Sequence, residues 1–144
     1  MRRLIHVSAV VLVDHGGHLL TVRKRGTRRF MLPGGKPDHG ESAARAAVRE
    51  CAEEVGVILQ PEALRPLGQF TAPAANEADH LVRGTIFAHP LVGTPAPARE
   101  IEEMRWLDPR RRPLPDDLAP LLAEHVIPAL GSLQEHLPGS RRGD

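Results

Sequence analysis

Apolar and polar positions along the chain change period several times, and each change marks an element. Leu4 to Val13 is apolar and β-branched, is broken by Asp14-His15-Gly16-Gly17, and resumes as a strand-like run from Leu19 to Arg23. Two such runs about a glycine turn predict a hairpin. Gly26 to Arg29 reads as a basic loop, and Phe30-Met31-Leu32 as a short extended piece stopped by Pro33-Gly34-Gly35. The period then becomes helical. Ala44, Ala47, Val48, Cys51 and Val55 recur at i, i+3, i+4, i+7 and i+11, with Ser42 as N-cap and Gly56 as stop, which predicts a helix over 42–55. Strand-like runs return at Leu67–Thr71, Leu81–Ala88 and Met104–Leu107, separated by Pro/Ala-rich loops at 72–78 and 93–98. Asp116 to Leu137 predicts a C-terminal helix kinked at Pro128, and 138–144 a disordered tail. No repeat or linker divides residues 1–137, so a single domain is expected there.

Composition narrows the function classes. The 144 residues carry a net charge of +1, too balanced for a nucleic-acid or membrane-binding surface. Aromatic residues are three Phe, one Trp and no Tyr, too few for a series that stacks bases. One cysteine, Cys51, allows no intramolecular disulfide and no paired-cysteine metal knot. No apolar run is long enough to span a bilayer, and the N-terminal run has no cleavage site after it. A cytoplasmic enzyme or binding domain is expected, with no stable nucleic-acid complex and no membrane.

The candidate chemistry lies on the 42–55 helix. At about 100° per residue, Glu50, Glu53 and Glu54 share one face, centred roughly 130° from the apolar stripe. Three neighbouring carboxylates without partners repel one another, and a hard divalent cation would relieve that repulsion. Glu41, Arg45 and Arg49 follow at four-residue steps and predict a salt-bridge ladder beside them.

Residues 35–57 fit the pattern Gly-x5-Glu-x7-Arg-Glu-U-x-Glu-Glu-x-Gly-U, U being apolar, at Gly35, Glu41, Arg49, Glu50, Glu53, Glu54 and Gly56. The segment resembles the signature of the Nudix hydrolases. That resemblance implies an α/β fold, an α/β/α sandwich with a mixed sheet and a loop–helix–loop motif. It also implies Mg²⁺- or Mn²⁺-dependent hydrolysis of a nucleoside diphosphate linked to another moiety. Carried over by position, Glu50, Glu53, Glu54 and the Gly35 carbonyl resemble the metal ligands, and Glu41 and Arg49 the pair that orients them. The metal would neutralise the pyrophosphate and acidify a water that attacks phosphorus in line.

Beyond the signature the expectations are thinner. The general base is Glu53, Glu54 or a later glutamate, with Glu100 favoured over Glu102 and Glu103 in the segment ahead of Met104. His89 reads as a surface residue. Arg23, Arg25, Arg28 and Arg29 form a basic cluster that could grip a diphosphate, Phe30 could line a base pocket, and Asn76, Asp116 and Asp117 offer polar contacts to a base. The short chain and the Phe-x-Leu-Pro-Gly-Gly lead-in resemble the branch that cleans up oxidised nucleoside triphosphates, giving a monophosphate and pyrophosphate. Pro73, sixteen residues past the signature, resembles the ADP-ribose branch instead, so ADP-ribose or a nucleotide sugar is the alternative substrate. A Nudix-fold nucleotide-sensing module is the non-enzymatic alternative, disfavoured because every signature carboxylate is present. Apolar residues within 81–88 or 118–133 leave a homodimer open.

Overall fold

In the computed structural model, which describes residues 3–75 and 77–133, the strands divide into two sheets. The larger is mixed. β1 (Arg3–Val11) is flanked by β3 (Gly34–Gly35), antiparallel, and β5 (His80–Ala88), parallel, and β5 pairs antiparallel with β4 (Arg65–Pro73). β2 (Leu19–Lys24) and β6 (Ile101–Leu107) form a separate antiparallel pair.

The period-2 alternation of β1 sends its side chains into two cores. Ala9 and Val11 pack with Leu118, Leu122, Val126, Ile127 and Leu130, which covers one face with the C-terminal helical region. Val10 and Leu12 pack on the other side with Ala47, Cys51 and Val55 of α1 (Ala43–Val55). The result is the sheet between two helical layers that the resemblance implied.

The α1 boundaries follow from its caps. The Ser42 side chain accepts from the Arg45 N–H at 3.1 Å, and Gly56, at φ 69°, donates to the Ala52 carbonyl. An L side chain would be strained in that left-handed conformation, so glycine ends the helix there.

The structure corrects four expectations. The Asp14 turn forms, with Oδ1 accepting from the N–H groups of Gly16 and His18 at 2.9 and 2.8 Å, but the strands beyond it separate. After a bridge between Val13 and Leu19, β1 pairs with β3 and β5 while β2 leaves to meet β6. The C-terminal helix does not begin at Asp116, because the Phe30 N–H donates to the Asp117 carbonyl and the Ala119 N–H to the Phe30 carbonyl, which keeps 117–119 extended. Helix starts instead as a π-helical turn, Leu121–Val126, followed by α2 (Ile127–Leu133). Pro128 lies just past that changeover, where its missing N–H interrupts the ordinary ladder. Finally, β6 starts at Ile101, so Glu102 and Glu103 belong to the strand, and β4 runs on to Pro73 within the expected loop. The expected tail at 138–144 lies outside the described residues. Among the described residues no helix is long and apolar enough to cross a membrane.

Candidate active site

Two glycines let three elements meet. A Cβ on Gly34 would overlap the Ser8 carbonyl of β1, and one on Gly35 would overlap the Glu50 carboxylate. Only glycine permits the backbone contact at Gly34, and a side chain at Gly35 would require the Glu50 carboxylate to move aside.

Arg49 organises the acids around that contact. Its Nε and Nη2 donate to the two oxygens of Glu41 at 2.8 and 2.9 Å, a bidentate pair. Nη1 reaches Glu50 at 3.1 Å and Glu53 at 3.4 Å, and Nη2 also donates to the Lys36 carbonyl at 3.1 Å. Glu41 in turn accepts from the Asp38 N–H at 2.8 Å, tying the loop before α1 to the helix. The hydrogen bonds from Arg49 hold the Glu41 carboxyl down at about 2 and push the guanidinium further up. The expected ladder is thus a direct bridge from Glu41 to Arg49. Arg45 is exposed and forms no ion pair among the described residues.

The three carboxylates differ from the uniform face read from the sequence. Glu53 is about a third exposed, Glu50 is largely covered, and Glu54 is buried at 5%. Glu54 Oε1 accepts from the Gly34 N–H at 3.1 Å, and its Oε2 lies 3.7 Å from Lys24 Nζ. Burial pushes its carboxyl up to about 7, against the pull of Lys24 and Gly34. Nor are the carboxylates unpartnered, because Arg49 holds two and Lys24 the third. The ion pairs here join five carboxylates (Asp38, Glu41, Glu50, Glu53, Glu54) to two cations.

As these side chains are held, no three acidic, His or Cys groups among the described residues converge on one point. The chemistry of the donor set still fits a hard cation. It is all oxygen, it is over-supplied with negative charge, and the Gly35 backbone lies against Glu50 with no side chain between.

Beside this cluster lies a cleft of about 600 Å³. Its acidic end is formed by Gly34, Gly35, Asp38 and Glu50, with Lys24 and Lys36 as cations; Ile5, Val7, Val82, Leu121 and Val126 make the far walls apolar. Its described lining contains no aromatic ring.

Other expected residues lie elsewhere. Phe30 is a core residue, 3% exposed, capped by the Arg105 guanidinium 3.8 Å from its ring centre and bridged to Leu118; its neighbours Met31 and Leu32 line the cleft, and it does not. Arg23 is held by Glu103 at 3.2 Å and by the Thr27 carbonyl, and Arg25 is exposed; neither lines the cleft. Arg29 donates to the Leu118 carbonyl. Glu100 is exposed in the turn before β6, its carbonyl accepting from Arg25, with its side chain outside the cleft lining. Asp117 is taken by Arg105 at 2.7 and 3.0 Å. His89 is buried, not on the surface, because its Nε2 accepts the Gln60 N–H that the loop after α1 would otherwise leave unpaired. Asn76 lies outside the described residues, although Ala74, Ala75 and Glu77 around it line the cleft.

Sequence reasoning missed Lys24 and Lys36. Lys24 stands inside the basic cluster, and by strand alternation it shares the face of Leu20 and Val22, which pack with α1, so it and not Arg23 or Arg25 meets the acids. The alternation Leu20, Val22, Lys24 is the signal that finds it.

Comparison with known proteins gives the family and the fold. The family model described as NUDIX domain matches residues 2–129. A Bacillus subtilis (strain 168) protein named "Putative 8-oxo-dGTP diphosphatase" is 32% identical over 105 residues, covering 73% of this chain and 67% of that protein. The crystal structure of a MutT/nudix family protein from Enterococcus faecalis superposes with a TM-score of 0.74 at 20% identity, over 97% of this chain and 67% of that one. A bifunctional NMN adenylyltransferase/ADP ribose pyrophosphatase from Francisella tularensis, complexed with AMP and a Mn ion, superposes at 0.62 and 17% identity, over 94% of this chain and 42% of that one.

Proposed function

The chain belongs to the Nudix family and is a pyrophosphohydrolase of the MutT-like kind; from that premise we propose that it converts a nucleoside triphosphate, oxidised forms included, to a monophosphate and pyrophosphate with the help of Mg²⁺ or Mn²⁺. The observation that carries this reading is the over-supplied acidic cluster packed against the Gly35 backbone at one end of a cleft whose cations are Lys24 and Lys36. Glu50, Glu53, Glu54 and the Gly35 carbonyl would hold the ion, which when bound supplies charge neutralisation of the pyrophosphate and a more acidic water.

The chain's own residues do the rest. Arg49 fixes the directions of Glu50 and Glu53 through a guanidinium that Glu41 locks in plane. Lys24 and Lys36 attract the polyphosphate to the acidic end, and the aliphatic walls exclude water from the bound nucleoside. Glu53, about a third exposed, or the buried Glu54 would accept a proton from the attacking water. The name of the Bacillus subtilis relative supports an oxidised purine triphosphate as substrate.

Pro73 on the cleft wall favours a second reading, ADP-ribose, for which the Francisella neighbour is named in part. A panel of dGTP, 8-oxo-dGTP, ADP-ribose and nucleotide sugars with Mg²⁺ separates the two. Pyrophosphate as product supports the first reading, and two monophosphates from ADP-ribose the second. Turnover of none of them contradicts both.

A further inference from the structure

Lys24 is held in two different ways. Its backbone is fixed: the carbonyl accepts from the Thr27 N–H at 3.0 Å and from Thr27 Oγ1 at 2.8 Å, and the next residue, Arg25, donates to the Glu100 carbonyl. Opposite it β6 carries the irregularity: Arg23 pairs with Glu103 and Lys24 with Ile101, passing over Glu102. By strand alternation Lys24 follows Leu20 and Val22 on the face packed toward α1, and its side chain lines the cleft. The ammonium is held loosely by comparison. Its described ion-pair partner is Glu54 Oε2 at 3.7 Å, close enough for charge attraction but too long for a hydrogen bond.

Glu54 is divided in the same manner. Oε1 is committed to the Gly34 N–H, which leaves Oε2, the oxygen facing Lys24, as the one available to a new ligand. A divalent cation at Oε2 would stand beside the ammonium and repel it. The flexible four-carbon stem gives Lys24 somewhere to go, because the same side chain already lines the cleft where an anionic substrate would lie.

We propose that Lys24 is an exchangeable counter-ion, which neutralises Glu54 in the metal-free protein and is released by the divalent cation to bind the substrate's phosphates. Metal and nucleotide then favour each other's binding through one side chain, and the coupling is reciprocal. This rests on the metal site proposed above, and it makes Lys24 a positioning residue for both ligands.

The test measures Mn²⁺ binding without nucleotide, from the paramagnetic resonance signal of free Mn²⁺, in wild type, Lys24→Met and Lys24→Arg. Removing the competitor should tighten Mn²⁺ binding in Lys24→Met by about 5- to 10-fold. The same variant, saturated with Mn²⁺, should bind a non-hydrolysable triphosphate several-fold more weakly, and Lys24→Arg should stay near wild type on both counts. A merely structural lysine would not tighten metal binding when removed. Equal or weaker Mn²⁺ binding in Lys24→Met overturns the exchange, as does unchanged triphosphate binding. If Lys24→Met does not fold, Lys24→Gln serves, with the same outcomes. Wild type that binds no Mn²⁺ at all instead sinks the metal site itself, and wild-type hydrolysis of nucleotides tests that separately.

Discussion

Two arginines in this protein each grip a carboxylate with both arms, and the difference between them separates architecture from chemistry. Arg105 pairs with Asp117 at 2.7 and 3.0 Å and stacks over Phe30, one cation to one anion on an aromatic base. That cluster is balanced in charge, although the Arg105 Nε is buried without a partner among the described residues. Arg49 pairs as well with Glu41, but it also reaches Glu50, Glu53 and Asp38, so one cation is shared among four anions. Similar guanidinium geometry leaves one site neutral and the other in surplus. The surplus is what a divalent cation would neutralise, and it is concentrated where glycine brings backbone against an acid.

The sharpest way to break this contrast is to remove the surplus. Glu53→Gln and Glu54→Gln should each lower kcat/KM by roughly a hundredfold or more while circular dichroism shows the fold intact. Unchanged turnover in both would remove the assignment. Gly35→Ala forces a methyl group into the Glu50 carboxylate, and a loss on the order of tens of fold in Mn²⁺ affinity is expected by calorimetry. Arg49→Lys keeps the charge but loses the fork, and should cost about 10-fold in kcat/KM.

A pH titration probes the same surplus. Burial raises the Glu54 carboxyl to about 7, so in the metal-free protein it carries a proton below that value. A cation must displace that proton, so Mn²⁺ affinity should rise with pH up to about 7, by up to about tenfold per unit, and level off above it. Affinity that does not change between pH 5 and about 7 would show that Glu54 is not a ligand.

The smallest effect belongs to the balanced pair. Asp117→Asn should lower stability by about 1–2 kcal/mol in a denaturant titration, since both partners are partly exposed, and leave kcat unchanged. A large loss of turnover would move this pair into the site.

How much of this could be read from residues alone depends on how local the determinants are. The α1 helix and its Ser42 and Gly56 caps follow from spacings within one stretch of chain, whereas the direct Glu41–Arg49 bridge, eight residues apart with Glu41 in the loop before the helix, does not. The separation of β1 from β2 does not, because the turn signature is local while the choice of sheet depends on β5 and β6, some sixty to ninety residues away. Helical spacing puts Glu54 on one face with Glu50 and Glu53; its burial is set by Gly34 and Lys24, which reach it from β3 and β2. Phe30 is kept from the cleft by Arg105 and Leu118, which reach it from distant parts of the chain, whereas Lys24 enters the cleft on the face of Leu20 and Val22 by ordinary alternation.

The central claim is that the surplus of acid around Arg49 binds a divalent cation for breaking a pyrophosphate bond. ³¹P NMR of a nucleoside triphosphate incubated with metal-stripped protein, before and after Mg²⁺ is added, tests it directly. The account predicts no conversion before Mg²⁺, and monophosphate with pyrophosphate after it. Equal conversion in EDTA, or release of orthophosphate and a nucleoside diphosphate, would contradict it.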